Sequence, residues 1–134
     1  MKNKNWIYFG AFLNDKSSQR LLSLSKKLSP TDWKHYCHHM TIAFNNKTEE
    51  AQEMYNYYKP LFGKEIHLVV THIGTSNDAI AVKIDFKGKT LNKIPHITLS
   101  TPPNGKPVNS NYITEWLELG KPIVLCANLG EFSK

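Results

Sequence analysis

A chain of 134 residues is long enough to bury one hydrophobic core without disulfide or metal staples. Its 40% apolar and 21% charged content excludes wholesale disorder, and two cysteines, Cys37 and Cys126, are too few for a bridge-stapled secreted domain. The net charge of +6, carried by lysines apart from Arg20, favours polyanionic partners, although a solvated lysine-rich surface has the same signature.

Trp6–Leu13 (WIYFGAFL) is short and aromatic and reads as a strand; Asn14-Asp15 interrupts it too soon for a signal-peptide core with a cleavage site. Asn14-Asp15 also supplies N-cap chemistry for a helix over Lys16–Leu28, with Leu21, Leu22, Leu24 and Leu28 as its apolar face and Ser29-Pro30 as its end. Tyr36–Phe44 (YCHHMTIAF) predicts a second strand. A second helix follows, capped by Asn46 or Thr48, with Glu49 and Glu50 in its first turn; it runs to about Phe62, ragged at Pro60, and stops at Gly63. Glu65–Gly74 and Ala79–Phe86 predict a hairpin around Ser76-Asn77-Asp78, and Ile94–Thr101 predicts a further strand. A Pro/Gly/Asn loop through Asn109 leads to a short helix, Tyr112–Leu119, capped by Asn109 or Ser110 and closed by Gly120 and Pro122; a last strand spans Ile123–Phe132.

The order β-α-β-α-β-β-β-α-β predicts a single α+β domain with a mixed or antiparallel sheet. No strand is followed by a glycine-rich phosphate loop, which argues against a doubly wound nucleotide-binding fold. No apolar run approaches the roughly 20 residues needed to cross a membrane, so no membrane partner is expected. Both thiols are expected to be reduced, in a cytoplasmic monomer.

Two segments carry candidate chemistry: His38-His39-Met40-Thr41-Ile42-Ala43-Phe44 and Pro95-His96-Ile97-Thr98-Leu99-Ser100. Side chains alternate between the faces of a strand, so His39 and Thr41 share one face and Met40 and Ile42 the other. His96 and Thr98 likewise stand opposite Ile97 and Leu99. If the two strands are near neighbours, two His/Thr pairs converge on one groove. Phosphodiester hydrolysis needs a base for the attacking oxygen and an acid for the leaving oxygen, and two imidazoles sharing one proton near neutrality supply both. Threonine hydroxyls can donate to the non-bridging oxygens, and none of this chemistry calls for a metal or other cofactor. A lone His-x-Thr carries no such weight: His67 and His72 read as surface or sheet-edge residues, and His35 and His38 as exposed neighbours of the first motif.

HMTI at His39–Ile42 and HITL at His96–Leu99 resemble the paired His-x-Thr-hydrophobic motifs of the 2H phosphoesterase superfamily. With Tyr8–Leu13 (YFGAFL) and Pro95–Asn111 (PHITLSTPPNGKPVNSN), the chain is most similar to the Swiss Army Knife RNA repair-like branch. The resemblance implies a bilobal, pseudo-symmetric α+β fold with flanking helices and a central groove. It also implies His39 and His96 as acid and base, and Thr41 and Thr98 as phosphate ligands. Family substrates include RNA 2′,3′-cyclic phosphate ends, ADP-ribose 1″,2″-cyclic phosphate, 2′-5′ oligoadenylates and cyclic oligonucleotide immune signals cleaved by viral members.

Further groove candidates come from residue chemistry alone. Tyr8 or Trp6, Tyr36 and Tyr112 could stack on a base, or simply be core or surface aromatics. Lys106, Ser110 and Asn111, in the loop after the second motif, could contact a phosphate or sugar; otherwise Lys106 is a solvated turn residue and Ser110 a helix cap. The leading expectation is a stand-alone, metal-independent phosphodiesterase acting on a small cyclic nucleotide, a cyclic or short oligonucleotide, or an RNA end. The alternative is a nucleotide- or RNA-binding module of the same fold without turnover.

Overall fold

Strand β1 (Trp6–Leu13) opens the computed structural model, which describes residues 5–133. Helix α1 (Asp15–Leu28) begins where the Asn14 side chain accepts the backbone N–H of Ser17 at 2.8 Å, and buries Ser17, Leu21 and Ser25. Strand β2 (Lys34–His35) and strand β3 (His39–Phe44) follow. The single strand expected over Tyr36–Phe44 is therefore broken. Cys37 between them has φ 58, a left-handed conformation that no strand residue can keep.

Helix α2 (Glu49–Tyr58) is capped by Thr48, whose hydroxyl accepts the N–H of Ala51. A short 3-10 turn, Lys59–Leu61, carries Pro60, and Gly63 ends the segment at φ 94. Strands β4 (Glu65–Thr75), β5 (Ile80–Ile84) and β6 (His96–Thr101) come next, then a 3-10 helix over Pro107–Tyr112 and the long strand β7 (Glu115–Ser133).

The expected helix over Tyr112–Leu119 is not present: its first residue ends the 3-10 helix, and from Glu115 onward the chain is strand. Gly120 and Pro122, read as a helix stop, lie in a bulge. The β4–β7 register passes from Val70 opposite Ile123 to His72 opposite Glu118, looping out the residues between. Proline enters a ladder at such a place because there its missing N–H breaks no bond.

The strands run β2-β6-β3-β1-β7-β4-β5, every pairing is antiparallel, and β5 also pairs with β6, which closes the sheet into a barrel. One face is dry. Phe9 and Ala11, Met40 and Ile42, Ile97 and Leu99, Val82 and Ile84, and Leu68 and Val70 are all buried in one core. Helix α1 packs against β1, β2, β6 and β7, while α2 packs on β3 and adds Met54, Tyr55 and Tyr58 to that core. The other face, which carries the polar members of β3 and β6, is left open.

Candidate functional site

Strands β3 and β6 meet at one register pair, Met40 opposite Ile97, the middle residues of the two His-x-Thr motifs. In an antiparallel pair this places His39 beside Thr98 and Thr41 beside His96 on the opposite face. All four side chains line one cavity of about 420 Å³. The alternation expected from sequence holds here, with Met40, Ile42, Ile97 and Leu99 buried beneath them.

Gly10 lets β1 lie close against β3, the strand that carries the first motif. It lies opposite Thr41 on β3 and Gly130 on β7, and a Cβ there would collide with the Met40 carbonyl. Any side chain at Gly10 would push β3 away from β1.

The two histidines have different surroundings. His39 stacks on Tyr8 with ring centroids 4.8 Å apart and planes 20° from parallel, and lies 5.4 Å from Phe12. Burial, then the nearby His38 and His96, lower its pKa to about 4. His96 is buried and its Nδ1–H donates to the Ile94 carbonyl at 2.8 Å, which leaves Nε2 to meet a ligand. Burial lowers the His96 pKa, and the Ile94 carbonyl partly offsets that by favouring the imidazolium. Without an anion, both imidazoles are thus pushed toward the neutral form rather than holding one proton between them. Among the described residues the cavity wall carries no carboxylate, lysine or arginine.

The threonines also differ. The Thr98 hydroxyl lies 2.8 Å from Ser110 Oγ and 3.3 Å from the Pro107 carbonyl, whereas that of Thr41 makes no hydrogen bond among the described residues. Among the described residues no three His, Cys, Asp or Glu side chains gather as a metal site.

Of the remaining candidates, Tyr8, Tyr36 and Asn111 line the cavity, and the Tyr36 hydroxyl contacts Thr101 Oγ1 at 3.3 Å. Trp6 does not: it is 3% exposed in the core, stacked on Tyr55 at 4.7 Å. A register shift between Trp6 and Tyr8 along β7 turns these two residues to opposite faces, where plain alternation would keep them together. Ser110 is buried at 2% exposure, so it neither caps a helix nor offers its hydroxyl to solvent. Lys106 and Tyr112 are exposed and lie outside the cavity wall.

His38 is exposed and borders the cavity, but His35 is half-buried, its Nδ1 2.7 Å from Ser25 Oγ, because β2 pairs with β6 and carries it inward. His67 is exposed on β4, and His72 contacts Thr71 Oγ1 at 2.8 Å.

Sequence reasoning missed Phe44, which lines the cavity at 49% exposure. Counting by twos from His39 puts it on the core face. The register shift opposite Phe9/Gly10 buries Ile42 and Ala43 in succession and turns Phe44 back beside Tyr8. Phe132 of β7, 5.4 Å from Tyr8, extends the same aromatic row and also had no signal in the pattern. Asn92, Pro107 and Val108 complete the wall.

Comparison with known proteins adds a family match. The profile of the fungal tRNA ligase phosphodiesterase domain aligns with residues 20–123, well over half of the chain and inclusive of both motifs. No curated protein matches the sequence.

Proposed function

We propose that this chain, which belongs to the fungal tRNA ligase phosphodiesterase domain family and through it to the 2H phosphoesterase superfamily, hydrolyses a 2′,3′-cyclic phosphate on a nucleotide or RNA end. The observation that carries the reading is the convergence of His39, Thr41, His96 and Thr98 on one cavity around the Met40–Ile97 pair. The family supports phosphodiester hydrolysis in general; the residue roles below are our own reading.

The unequal histidines suggest a division of labour. His39, held neutral by its burial among aromatic rings, is available as the base that takes a proton from the attacking water, and the bound phosphodiester anion offsets the cost of charging it. His96 is the acid, because the Ile94 carbonyl supports its imidazolium and directs Nε2–H outward. The phosphodiester anion supplies the charge that lets His96 keep its proton on a wall without carboxylates. Water oxygen then bonds to phosphorus, its proton passes to His39, the bond from phosphorus to one ribose oxygen breaks, and His96 protonates that oxygen. Thr41 and Thr98 donate to the non-bridging oxygens as negative charge builds on them. No step draws on a metal.

The same reading extends to the rest of the site and the fold. Tyr8, Phe44 and Phe132 form an aromatic row on which a base can stack beside the cyclic phosphate. The bilobal, pseudo-symmetric organisation implied by the sequence resemblance would place one motif in each half, with Met40 and Ile97 at the junction. Incubation with 2′,3′-cyclic nucleotides, 2′-5′ oligomers and cyclic di- and trinucleotides, with products resolved by mass spectrometry, tests the proposal. Opening of the 2′,3′-cyclic phosphates to monoesters supports it. Tight binding without turnover of any substrate would leave the non-catalytic module instead.

A further inference from the structure

The two phosphate-facing threonines occupy equivalent places in their motifs but not equivalent surroundings. Thr98 has a buried hydroxyl partner; Thr41 has none among the described residues. Ser110 is 2% exposed, and among the described residues the one hydrogen-bond partner of its Oγ is Thr98 Oγ1, at 2.8 Å. A buried hydroxyl proton left unpaired is unfavourable, so the Ser110 proton goes to Thr98 Oγ1. Thr98 then accepts from Ser110, and its own single proton is free to point elsewhere. In the unliganded protein that proton meets the Pro107 carbonyl at 3.3 Å, a long contact that an anionic oxygen in the cavity readily displaces.

We propose that Ser110 is a positioning residue: its hydroxyl, donated to Thr98, fixes the Thr98 proton toward one non-bridging oxygen of the bound phosphodiester. The inference rests on the reading of Thr98 as a phosphate ligand and goes beyond it by making the two motifs unequal. One prochiral oxygen meets a preset donor from Thr98, while the other meets the free rotor of Thr41. Ser110 also sits on the 3-10 helix whose Pro107, Val108 and Asn111 line the cavity, so the same bond ties that segment to the second motif. A bond that only held the segment in place would affect substrate binding as a whole and would treat the two phosphate oxygens alike.

The Rp and Sp diastereomers of a 2′,3′-cyclic nucleoside phosphorothioate separate these roles, because sulfur is a poor acceptor at whichever position it occupies. Wild-type protein is expected to turn over one diastereomer about 10- to 100-fold more slowly than the other, at or below the lower end of the effect of losing a single directed donor. Thr98→Val should abolish that preference. Ser110→Ala should bring the ratio most of the way to the Thr98→Val value while its thermal midpoint stays near wild type. Thr41→Val should leave the preference in place or enlarge it.

A Ser110→Ala ratio equal to wild type would overturn the inference, as would a wild-type enzyme that does not distinguish the diastereomers. If Ser110→Ala unfolds at the assay temperature, Ser110→Cys, which keeps the volume with a much weaker donor, carries the same comparison. Failure of the wild type to open even the oxygen-only cyclic phosphate would be seen before any variant is made. That result would sink the hydrolase reading, and this inference with it.

Discussion

Tyr8 stacks on the imidazole of His39 at 4.8 Å, with the two planes 20° apart. The contact joins β1 to the first His-x-Thr motif and, with Phe12, covers part of the ring. Desolvation, with the like charges that His38 and His96 can carry, holds the His39 pKa at about 4, and burial lowers that of His96 as well.

The pH dependence of kcat/KM, which reports the free enzyme, should therefore be a bell with its maximum below pH 6.5, the ordinary histidine value. The acid limb reflects protonation of His39 near pH 4, and the alkaline limb loss of the proton from His96, itself below its usual range. Bound phosphate raises both values, so the maximum in kcat should lie at higher pH than that in kcat/KM. Steady-state kinetics from pH 4 to 9 would check this; a kcat/KM maximum above pH 7 contradicts it.

The same shift appears in stability. Between pH 6.5 and about 4 the unfolded chain binds a proton at His39 that the folded chain refuses, so stability rises with pH across that window and is lost as pH falls through it. The effect is on the order of 3 kcal/mol across the whole window. Urea unfolding at pH 7 and pH 4.5 should show a smaller loss for His39→Gln than for wild type. An equal loss would place the acid sensitivity elsewhere.

Phe44→Ala should raise KM for 2′,3′-cyclic nucleotides by about tenfold, matching the roughly 1–3 kcal/mol of one base-aromatic stack, and alter kcat little. The ring is 49% exposed, so thermal stability should change little. An unchanged KM would remove Phe44 from the substrate site.

Gly10→Ala should destabilise the fold by roughly 1–3 kcal/mol, because the new methyl meets the Met40 backbone rather than a flexible side chain. Chemical denaturation gives the loss of stability. Activity should fall further than the folded fraction does, since β3 carries His39 and Thr41. Wild-type stability in this variant would contradict the close approach of β1 and β3.

The residues legible in the sequence are those governed by local rules. Asn14-Asp15 and the pair Asn46 or Thr48 offer cap chemistry, and Asn14 and Thr48 are the caps; strand alternation puts His39 with Thr41 and His96 with Thr98 on the cavity side. Residues misread from sequence depend on tertiary ladders. Two register shifts reverse the faces that plain alternation would give Trp6 and Phe44. Gly120 and Pro122 have the same local chemistry in a helix stop as in a strand bulge, and only pairing of β7 with β4 decides between them. Ser110 reads as a cap until Thr98, twelve positions earlier, is seen beside it.

The central claim is that imidazoles from β3 and β6 act together on one phosphate. Phosphorus NMR of adenosine 2′,3′-cyclic phosphate in EDTA, with wild type, His39→Ala and His96→Ala run in parallel, tests it most directly. The cyclic resonance should give way to a monoester with wild type and persist with each variant at rates lower by about 10²–10⁴-fold. Undiminished hydrolysis by either variant, or an unchanged cyclic resonance with wild type, would contradict the account.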